Sequence, residues 1–296
     1  MSLAVRKLCR QQSNNAVCSQ TATEINNMKK VASLHYDVIF KKAFCDLEIF
    51  TAFAQDMLGL KLEIDHVETE KRFDVPLGRI TPRFDLFAED KKNRIIVDIQ
   101  HARYADHYDR FLYYHCSALI EQALTASDYR PPRQVFTIVV LTSGDKYKTD
   151  IAITDFAPRK LDGTPLLVFQ HKILFLCPKY ADDATPAPYH DWLRAINDSL
   201  DGEVEETQYD NFAIQKIFTH IEDDQISPDD RARMKDEYSD ELLLQTKIGK
   251  AIKQQKREMA RQGLEMGLEV AMIVQLTGLT EEQVSNLPQM IDDGEE

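Results

Sequence analysis

The strongest signal for the fold lies in two neighbouring segments, Arg83-Phe-Asp-Leu-Phe-Ala88 and Arg94-Ile-Ile-Val-Asp-Ile-Gln100. Both are short and rich in β-branched and aromatic residues, which favour strands. The polar residues 89–93 between them are typical of a turn. The pattern therefore predicts a β-hairpin with a five-residue loop.

Each predicted strand carries one carboxylate among apolar neighbours, Asp85 in the first and Asp98 in the second. Alternate residues of a strand share a face, so Asp98 and Gln100 point to one side while Val97 and Ile99 point to the other. A five-residue loop can bring Asp85 close to Asp98. Because burying an unpaired charge is costly, the two carboxylates require partners.

Two explanations account for this acidic pair. Close carboxylates repel each other unless they share a proton or a cation, and a hard divalent cation is bound through oxygen ligands. Asp85, Asp98 and the backbone carbonyl of Ile99 offer such ligands, and a bound metal would activate water for phosphodiester cleavage. The alternative is that the carboxylates form salt bridges with nearby arginines, of which the sequence offers Arg83, Arg94 and Arg103.

The segments around the hairpin predict an α/β fold with a mixed central sheet flanked by helices. The expected elements are an amphipathic helix or helix pair at residues 37–60, the hairpin, a long helix at 104–125, a buried central strand at 135–141, and short strands at 166–169 and 173–176. Residues 237–269 are mostly good helix formers. A further helical hairpin is expected at the C-terminal end, where Thr280 and Gln283 fit a capping box.

The net charge of −13 is unevenly distributed. Residues 201–296 contain 23 acids and 10 bases, whereas residues 1–200 contain 26 of each. We predict a mobile N-terminal arm at residues 1–30, the α/β domain at 31–190 and a helical acidic region at 191–296. The acidic excess argues against indiscriminate nucleic-acid binding by the last region.

Composition also argues against several classes of protein. No apolar run approaches the ~20 residues that span a bilayer, and no signal-peptide pattern is recognisable at the N-terminus. The five cysteines include no C-x-x-C pair, which argues against a disulfide framework and a thiolate zinc site. A cytoplasmic protein without membrane contact is therefore expected.

Asp85, the turn and Asp98-Ile-Gln100 together resemble the PD-(D/E)XK nuclease motif, in the branch where Gln replaces the final Lys. This branch contains the PD-(D/E)XK family transposases and the related recombination-promoting nucleases. Four further segments resemble it in order: Asp37-Val-Ile-Phe-Lys-Lys-Ala-Phe44, Arg110-Phe-Leu-Tyr-Tyr114 with Gln122, the strand at 135–141, and the helix of Gly263 and Gly267 with residues 270–287. The resemblance covers roughly residues 34–287.

The resemblance implies a restriction-endonuclease-like core at residues 31–190, a helical C-terminal extension, and cleavage of DNA that depends on Mg²⁺ or Mn²⁺. It implies that Asp85 and Asp98 bind the metal and that Gln100 takes the place of the catalytic Lys. Three further residues are candidates for contacts with DNA phosphates or for support of the site: Lys41, Arg110 and Asp37.

Two departures from the motif keep other hypotheses open. The second acid of this branch is usually Glu, so Asp98 is one methylene shorter, and Gln100 carries no positive charge. The alternative is a catalytically inactive protein that keeps the nuclease fold and binds nucleic acid or another protein. A third hypothesis is homo-oligomerisation through the C-terminal helices, although their charges do not follow a clean heptad pattern.

Overall fold

A computed structural model of the 296-residue chain describes residues 28–73, 80–101, 107–122, 130–166 and 168–287. Two compact units meet in the sequence between Met234 and Lys235. In chain order the first unit contains β1 (Met28–Lys30), α1 (Asp37–Phe44), α2 (Leu47–Leu58), β2 (Glu68–Lys71), β3 (Phe84–Glu89), β4 (Asn93–Gln100), α3 (His107–Ile120), β5 (Gln134–Leu141), β6 (Ile151–Asp155), β7 (Lys172–Leu176), α4 (Tyr189–Asp198), β8 (Glu203–Glu205) and α5 (Phe212–His220). Helix α6 (Pro228–Glu265) begins in this unit and continues into the second, which also holds α7 (Val270–Thr277) and α8 (Glu281–Ser285).

The main sheet has six strands in the order β2-β3-β4-β5-β7-β6. Strands β4, β5 and β7 are parallel and form its centre, whereas β2, β3 and β6 pair antiparallel with their neighbours. One face packs against α1, α2, α4 and α5, and the other packs against α3. Residues 135–141 of β5 are all buried, as expected of a strand covered on both faces. The predicted mixed sheet flanked by helices is confirmed.

The β3–β4 hairpin is confirmed, with a tighter turn than the five-residue loop that the sequence suggested. Glu89 already pairs with Arg94 in the ladder, and the Asp90 N–H donates to the Asn93 carbonyl at 2.9 Å. The Asp90 side chain also accepts hydrogen bonds from the N–H groups of Lys92 and Asn93, each at 2.7 Å. Because Asp90 closes the turn locally, both strands extend into the predicted loop.

The sheet domain is larger than the sequence indicated. Trp192 on α4 and Ile214 on α5 are fully buried in the same core as Phe53 of α2, so the first unit runs to Met234 and not to residue 190. The N-terminal arm was predicted to include residues 28–30, but these form β1, which pairs with β8. Residues 1–27 lie outside the described part of the chain.

Helix and strand bounds also differ in places. Residues 37–60 form two helices because the Asp46 side chain accepts hydrogen bonds from the N–H groups of Glu48 and Ile49 and starts α2 there. The strand expected at 166–169 is wrong for the residues described there, since Leu166 donates to the Pro158 carbonyl in a loop. The half-exposed edge strand β6 pairs with β7 instead. The long helix is described from His107 to Ile120, and its predicted ends lie outside the described residues.

The second unit has a small core of its own, formed by Ala260, Ile273, Leu279 and Val284. Helix α7 ends at Gly278, whose φ of 66° is the left-handed conformation that glycine adopts readily. The predicted capping box of Thr280 is present at the start of α8. Among the described helices, none is both long and apolar enough to cross a membrane.

Candidate active site

At one end of the β3–β4 ladder, the carboxylates of Asp85 and Asp98 accept hydrogen bonds from backbone N–H groups of the facing strand, where a regular ladder would use backbone carbonyls. Regular pairing reaches Leu86 and Val97, and the next position places Asp85 opposite Asp98. The Asp85 N–H donates to Asp98 Oδ1 at 3.0 Å, and the Ile99 N–H donates to Asp85 Oδ2 at 3.0 Å. The structure thus brings together the two acids that the sequence predicted to be neighbours.

The surroundings of this pair disfavour its ionisation, because both carboxyl groups are largely buried. Asp98 is 3% exposed, and its Oδ2 is buried with no hydrogen-bond partner in the described part of the chain. Burial, and then the charge of Asp85, raise the pKa of Asp98 well above its usual range. Burial and the charge of Asp37 raise the pKa of Asp85 to about 6, although Lys41 and the Ile99 N–H oppose this shift. A proton or a cation is therefore favoured at the pair.

Lys41 is the cationic partner of Asp85. Its Nζ lies 3.2 Å from Asp85 Oδ1 and 2.6 Å from Asp37 Oδ2, and it also donates to the Glu70 carboxylate. Lys41 is only 9% exposed because α1 packs over this end of the strands. Burial opposes its charge, but the three carboxylates outweigh that effect and raise its pKa. It is therefore not a solvated surface charge.

Glu70 is a site residue that sequence reasoning missed. Glu70 lies on β2, beside Asp85 of β3. Its neighbours Thr69 and Lys71 pair with Leu86 and Phe84, the two residues that flank Asp85. The φ of Glu70, 57°, is unusual for a residue other than glycine. No sequence signal separates it from a polar loop, because β2 reads Glu-Thr-Glu-Lys and none of its four residues is buried.

Three carboxylates converge around Lys41. One oxygen each from Asp37, Glu70 and Asp85 lies within 4.8 Å of the other two, a spacing that fits a hard cation. Asp98 is not part of this group, but its buried Oδ2 is the kind of unpartnered atom that a ligand completes. The residues present therefore fit a divalent metal, with Asp37 and Glu70 beside the predicted Asp85.

The alternative explanation, salt bridges between this pair and the nearby arginines, does not hold for the two arginines that the structure describes. Arg83 Nε pairs with Glu70 Oε2 at 2.6 Å. Arg94 pairs with Glu89 at 2.5 Å and with Glu121 at 2.7 Å, on the face of β4 that meets α3. Arg103 lies outside the described residues.

Gln100 is the last residue of β4 and is buried. It follows Asp98 by two positions, so both belong to the same face of the strand. Its backbone carbonyl accepts a hydrogen bond from the Thr142 N–H at 3.1 Å, which ties this end of β4 to the chain after β5. The predicted Asp85, Asp98 and Gln100 thus lie at the same end of the antiparallel strands β3 and β4.

Arg110 supplies positive charge from the other side of the sheet. Its guanidinium lies over the rings of Phe111 and Tyr114, at 5.5 and 5.3 Å from their centroids. Burial opposes its charge, but hydrogen bonding to Tyr114 and the negative charges of Asp98 and Asp85 raise its pKa. Arg110 is thus packed against aromatic rings and attracted electrostatically to the acidic pair.

Comparison with known proteins bears on the C-terminal unit. Residues 253–289 match the family model of the Rpn/YhgA-like nuclease family, C-terminal HTH (helix-turn-helix) domain. This segment is similar to the C-terminal domain of a nuclease family. The match includes α7 and α8 and covers 37 of the 296 residues. Comparisons with curated proteins and with solved structures each found no match.

The match supports the expected family at a coarse level and suggests a nuclease-related function with DNA binding. It lies wholly outside the sheet domain, where Asp85 and Asp98 are found. The chemistry of the acidic pair therefore has to be argued from its own geometry.

Proposed function

We propose that the protein is a metal-dependent endonuclease of the PD-(D/E)XK transposase-like type, which hydrolyses phosphodiester bonds in DNA. The observation that carries this proposal is the buried pair of Asp85 and Asp98, joined by hydrogen bonds through the backbone, with Asp98 Oδ2 left without a hydrogen-bond partner in the described part of the chain. The C-terminal match to a nuclease family supports the same reaction class.

Asp85, Asp98 and the Ile99 carbonyl would hold Mg²⁺ or Mn²⁺, with Asp37 and Glu70 close enough to Asp85 to contribute. When bound, such a metal supplies activated water and neutralises charge on the scissile phosphate. Lys41 holds positive charge among the carboxylates in the absence of other cations. Once that charge is supplied by another cation, the ammonium group is free to bind a DNA phosphate.

Gln100 and Arg110 have different parts in this proposal. Gln100 occupies the motif position of the catalytic Lys, and its amide can orient water or a phosphate oxygen through hydrogen bonds without adding charge. The positively charged guanidinium of Arg110, on α3, lies in the field of the two carboxylates and can attract the DNA backbone.

The test is cleavage of supercoiled and linear DNA by the full chain with Mg²⁺, Mn²⁺ or a chelator. Asp85→Asn and Asp98→Asn are expected to reduce the rate by about 100-fold or more, because each removes a charge from the reacting site. Asp109→Asn is the matched control, since Asp109 is an exposed acid one residue from Arg110. It is expected to cleave like the wild type.

Two results would overturn the proposal. Cleavage that persists in Asp98→Asn at the wild-type rate would show that the acidic pair is not the reacting site. Absence of cleavage on every DNA, together with no rise in melting temperature on adding Mn²⁺, would show that the pair binds no metal.

The second result would favour the other candidate, an inactive nuclease fold that binds nucleic acid or a protein. The specific observation in its favour is Lys41, which already neutralises part of the carboxylate charge. In that case Lys41 is a permanent structural partner, and DNA binding would be unaffected by divalent metals.

We further propose a role in recombination of mobile DNA, with two copies joined through the C-terminal helices. Cutting both strands of a duplex calls for two reacting sites, which a dimer provides. Helix α6 exposes a series of large apolar side chains that a second copy can cover: Tyr238, Leu242, Leu243, Ile248, Ile252 and Met259. Sedimentation of the wild type and of Ile252→Glu tests this, and a monomeric wild type would contradict it.

A further inference from the structure

The second unit carries a strongly basic surface within an otherwise acidic region. Six of the ten bases after residue 200 lie between Lys247 and Arg261, together with a single acid, Glu258. Five of these six bases are spaced three or four residues apart along α6 and therefore share one face of the helix. We call them the basic stripe: Lys247, Lys250, Lys253, Arg257 and Arg261.

The basic stripe is exposed over its whole length. Arg261 pairs with Glu258 at 2.7 Å, whereas the other four form no ion pair within the described part of the chain. Such a row of uncompensated like charges is unfavourable in an isolated helix, which points to an anionic partner.

The side of α6 that is buried in the second unit does not include the basic stripe. Ala260 and Gly263 are buried, and a Cβ added at Gly263 would lie 3.0 Å from Ile273 of α7. The helices α7 and α8 therefore pack against the Ala260–Gly263 side of α6. They leave Arg257 and the rest of the basic stripe open to solvent.

Helix α8 occupies the place of the DNA-reading helix in a helix-turn-helix, following α7 after a short turn that contains Gly278. Its first turn carries Glu281 and Glu282, both exposed. Two carboxylates at this position would face the phosphates of a duplex and repel them. The electrostatic footprint for DNA is thus on α6 and not on α8.

We propose that the basic stripe of α6 is the duplex-DNA-binding surface of the C-terminal unit and that α8 does not enter the major groove. The inference rests on the proposed function, since it names the surface that holds the DNA to be cut. From Lys247 to Arg261 the stripe is about 21 Å long, enough to follow several phosphates along one strand. Its contacts are with the backbone, so binding is largely independent of sequence.

The test measures binding of the full chain to a fluorescent DNA duplex in a chelator, where no metal-dependent cleavage can occur. The triple variant Lys250→Gln, Lys253→Gln and Arg257→Gln removes three charges and keeps good helix formers. We expect at least tenfold weaker binding and a slope of log affinity against log salt that is smaller by about two to three. Circular dichroism checks that α6 is retained.

Two matched variants complete the design. Lys91→Gln, Lys92→Gln and Lys160→Gln removes three exposed bases of the sheet domain, two of them at the β3–β4 turn, and is expected to change affinity by less than threefold. Glu281→Gln with Glu282→Gln tests α8 directly and is expected to leave the affinity unchanged.

Three results would overturn the inference. In the first, the triple α6 variant would bind DNA with the wild-type affinity and salt slope. In the second, the α8 variant would bind DNA much more tightly than the wild type, which would place α8 against the duplex. In the third, the α6 variant would lose binding to vesicles containing phosphatidylserine but not to DNA, which would assign the stripe to an anionic membrane. Loss of cleavage alone would leave these binding results intact and would concern only the proposed function.

Discussion

Lys41 on α1 lies with its Nζ 3.2 Å from Asp85 Oδ1 on β3, and this contact links the first helix to the acidic pair. The same ammonium group lies 2.6 Å from Asp37 Oδ2 and also contacts Glu70. The place that the proposed divalent cation would take among three carboxylates is thus partly occupied by a lysine. A side chain in this place has two effects, since it stabilises the metal-free protein and competes with a metal.

Lys41→Met is therefore expected to destabilise the metal-free protein and to strengthen its response to metal. Lys41 is buried, but Asp37 and Glu70 are partly exposed, so removing it is expected to cost about 2 kcal/mol, which corresponds to a fall of roughly 4–8 °C in melting temperature for a domain of this size. Addition of Mn²⁺ should recover more stability in this variant than in the wild type. Thermal denaturation with and without Mn²⁺ measures both effects.

Lys42→Met is the matched control for that experiment. Lys42 is the next residue on α1, is more exposed, and pairs with Asp230 at 3.3 Å, away from the three carboxylates. Its loss should lower stability by no more than about 1 kcal/mol and leave the Mn²⁺ response unchanged. Equal Mn²⁺ responses in the two variants would contradict a metal site at Lys41.

Two aspartates of the same hairpin should respond to amidation in opposite directions. Asp98→Asn removes a carboxyl group whose ionisation is opposed by burial and by Asp85, so the free energy of unfolding should rise. In Asp90→Asn the turn loses a carboxylate whose pKa is lowered, against the effect of burial, by hydrogen bonds from Asn93 and Lys92, so stability should fall. Urea denaturation of the metal-free proteins measures both changes.

The gain in stability of Asp98→Asn should accompany a loss of cleavage, since charge that is unfavourable for folding is retained where it serves a reaction. If Asp98→Asn is less stable than the wild type without metal, the carboxyl group of Asp98 makes favourable interactions in the folded protein. The buried Oδ2 would then have a role in packing alone.

The hairpin and its two acids were predictable because the signal is local. Alternation in residues 94–100 fixes the face of Asp98, and the polar turn brings β3 and β4 together. Lys41 and Asp37 could be named from their motif, but their contact with Asp85 depends on how α1 packs over the sheet, which no local pattern encodes. Glu70 had no signal, because β2 is a polar edge strand.

The division of the chain was harder to predict for a related reason. The sequence from residue 191 onward looks uniformly helical and acidic, but α4 and α5 bury Trp192 and Ile214 in the core of the sheet domain. Average composition cannot separate these helices from α6, which is mostly exposed. The mean charge of the same region likewise concealed the basic stripe, since six bases are outnumbered by the acids around them.

The turn after β5 should be intolerant of a side chain at Gly144. Its φ is 70°, and an added Cβ would lie 2.4 Å from the Tyr180 ring. Gly163 has a φ of 87° but no atom within 4 Å of such a Cβ, so it isolates the cost of the backbone conformation. Gly163→Ala should cost about 1 kcal/mol and Gly144→Ala about 3 kcal/mol by urea denaturation.

The difference between these two variants measures the clash with Tyr180. Because Thr142 donates to the Gln100 carbonyl two residues before Gly144, the Gly144→Ala protein should also cleave DNA more slowly. Equal costs for the two glycines would mean that the turn shifts freely and does not hold the end of β4.

The acidic pair should make metal binding depend on pH in a defined direction. The pKa of Asp85 is raised to about 6 by burial and by Asp37, so the folded protein holds this proton more tightly than the unfolded chain does. Without metal, the free energy of unfolding contributed by Asp85 should therefore fall as the pH rises from about 4 to about 6. Calorimetric unfolding in chelator measures this contribution as the difference between the wild type and Asp85→Asn.

Metal binding has the opposite dependence, because a carboxylate must lose its proton to become a ligand. Mn²⁺ affinity should rise with pH, by up to about tenfold per pH unit for each carboxyl group that must lose its proton, and level off above the point where Asp85 and Asp98 are ionised. Titration calorimetry at several pH values gives this curve, and Asp109→Asn should reproduce it. An affinity that is constant between about pH 5 and pH 7 would show that the bound metal does not use the raised carboxylates of β3 and β4.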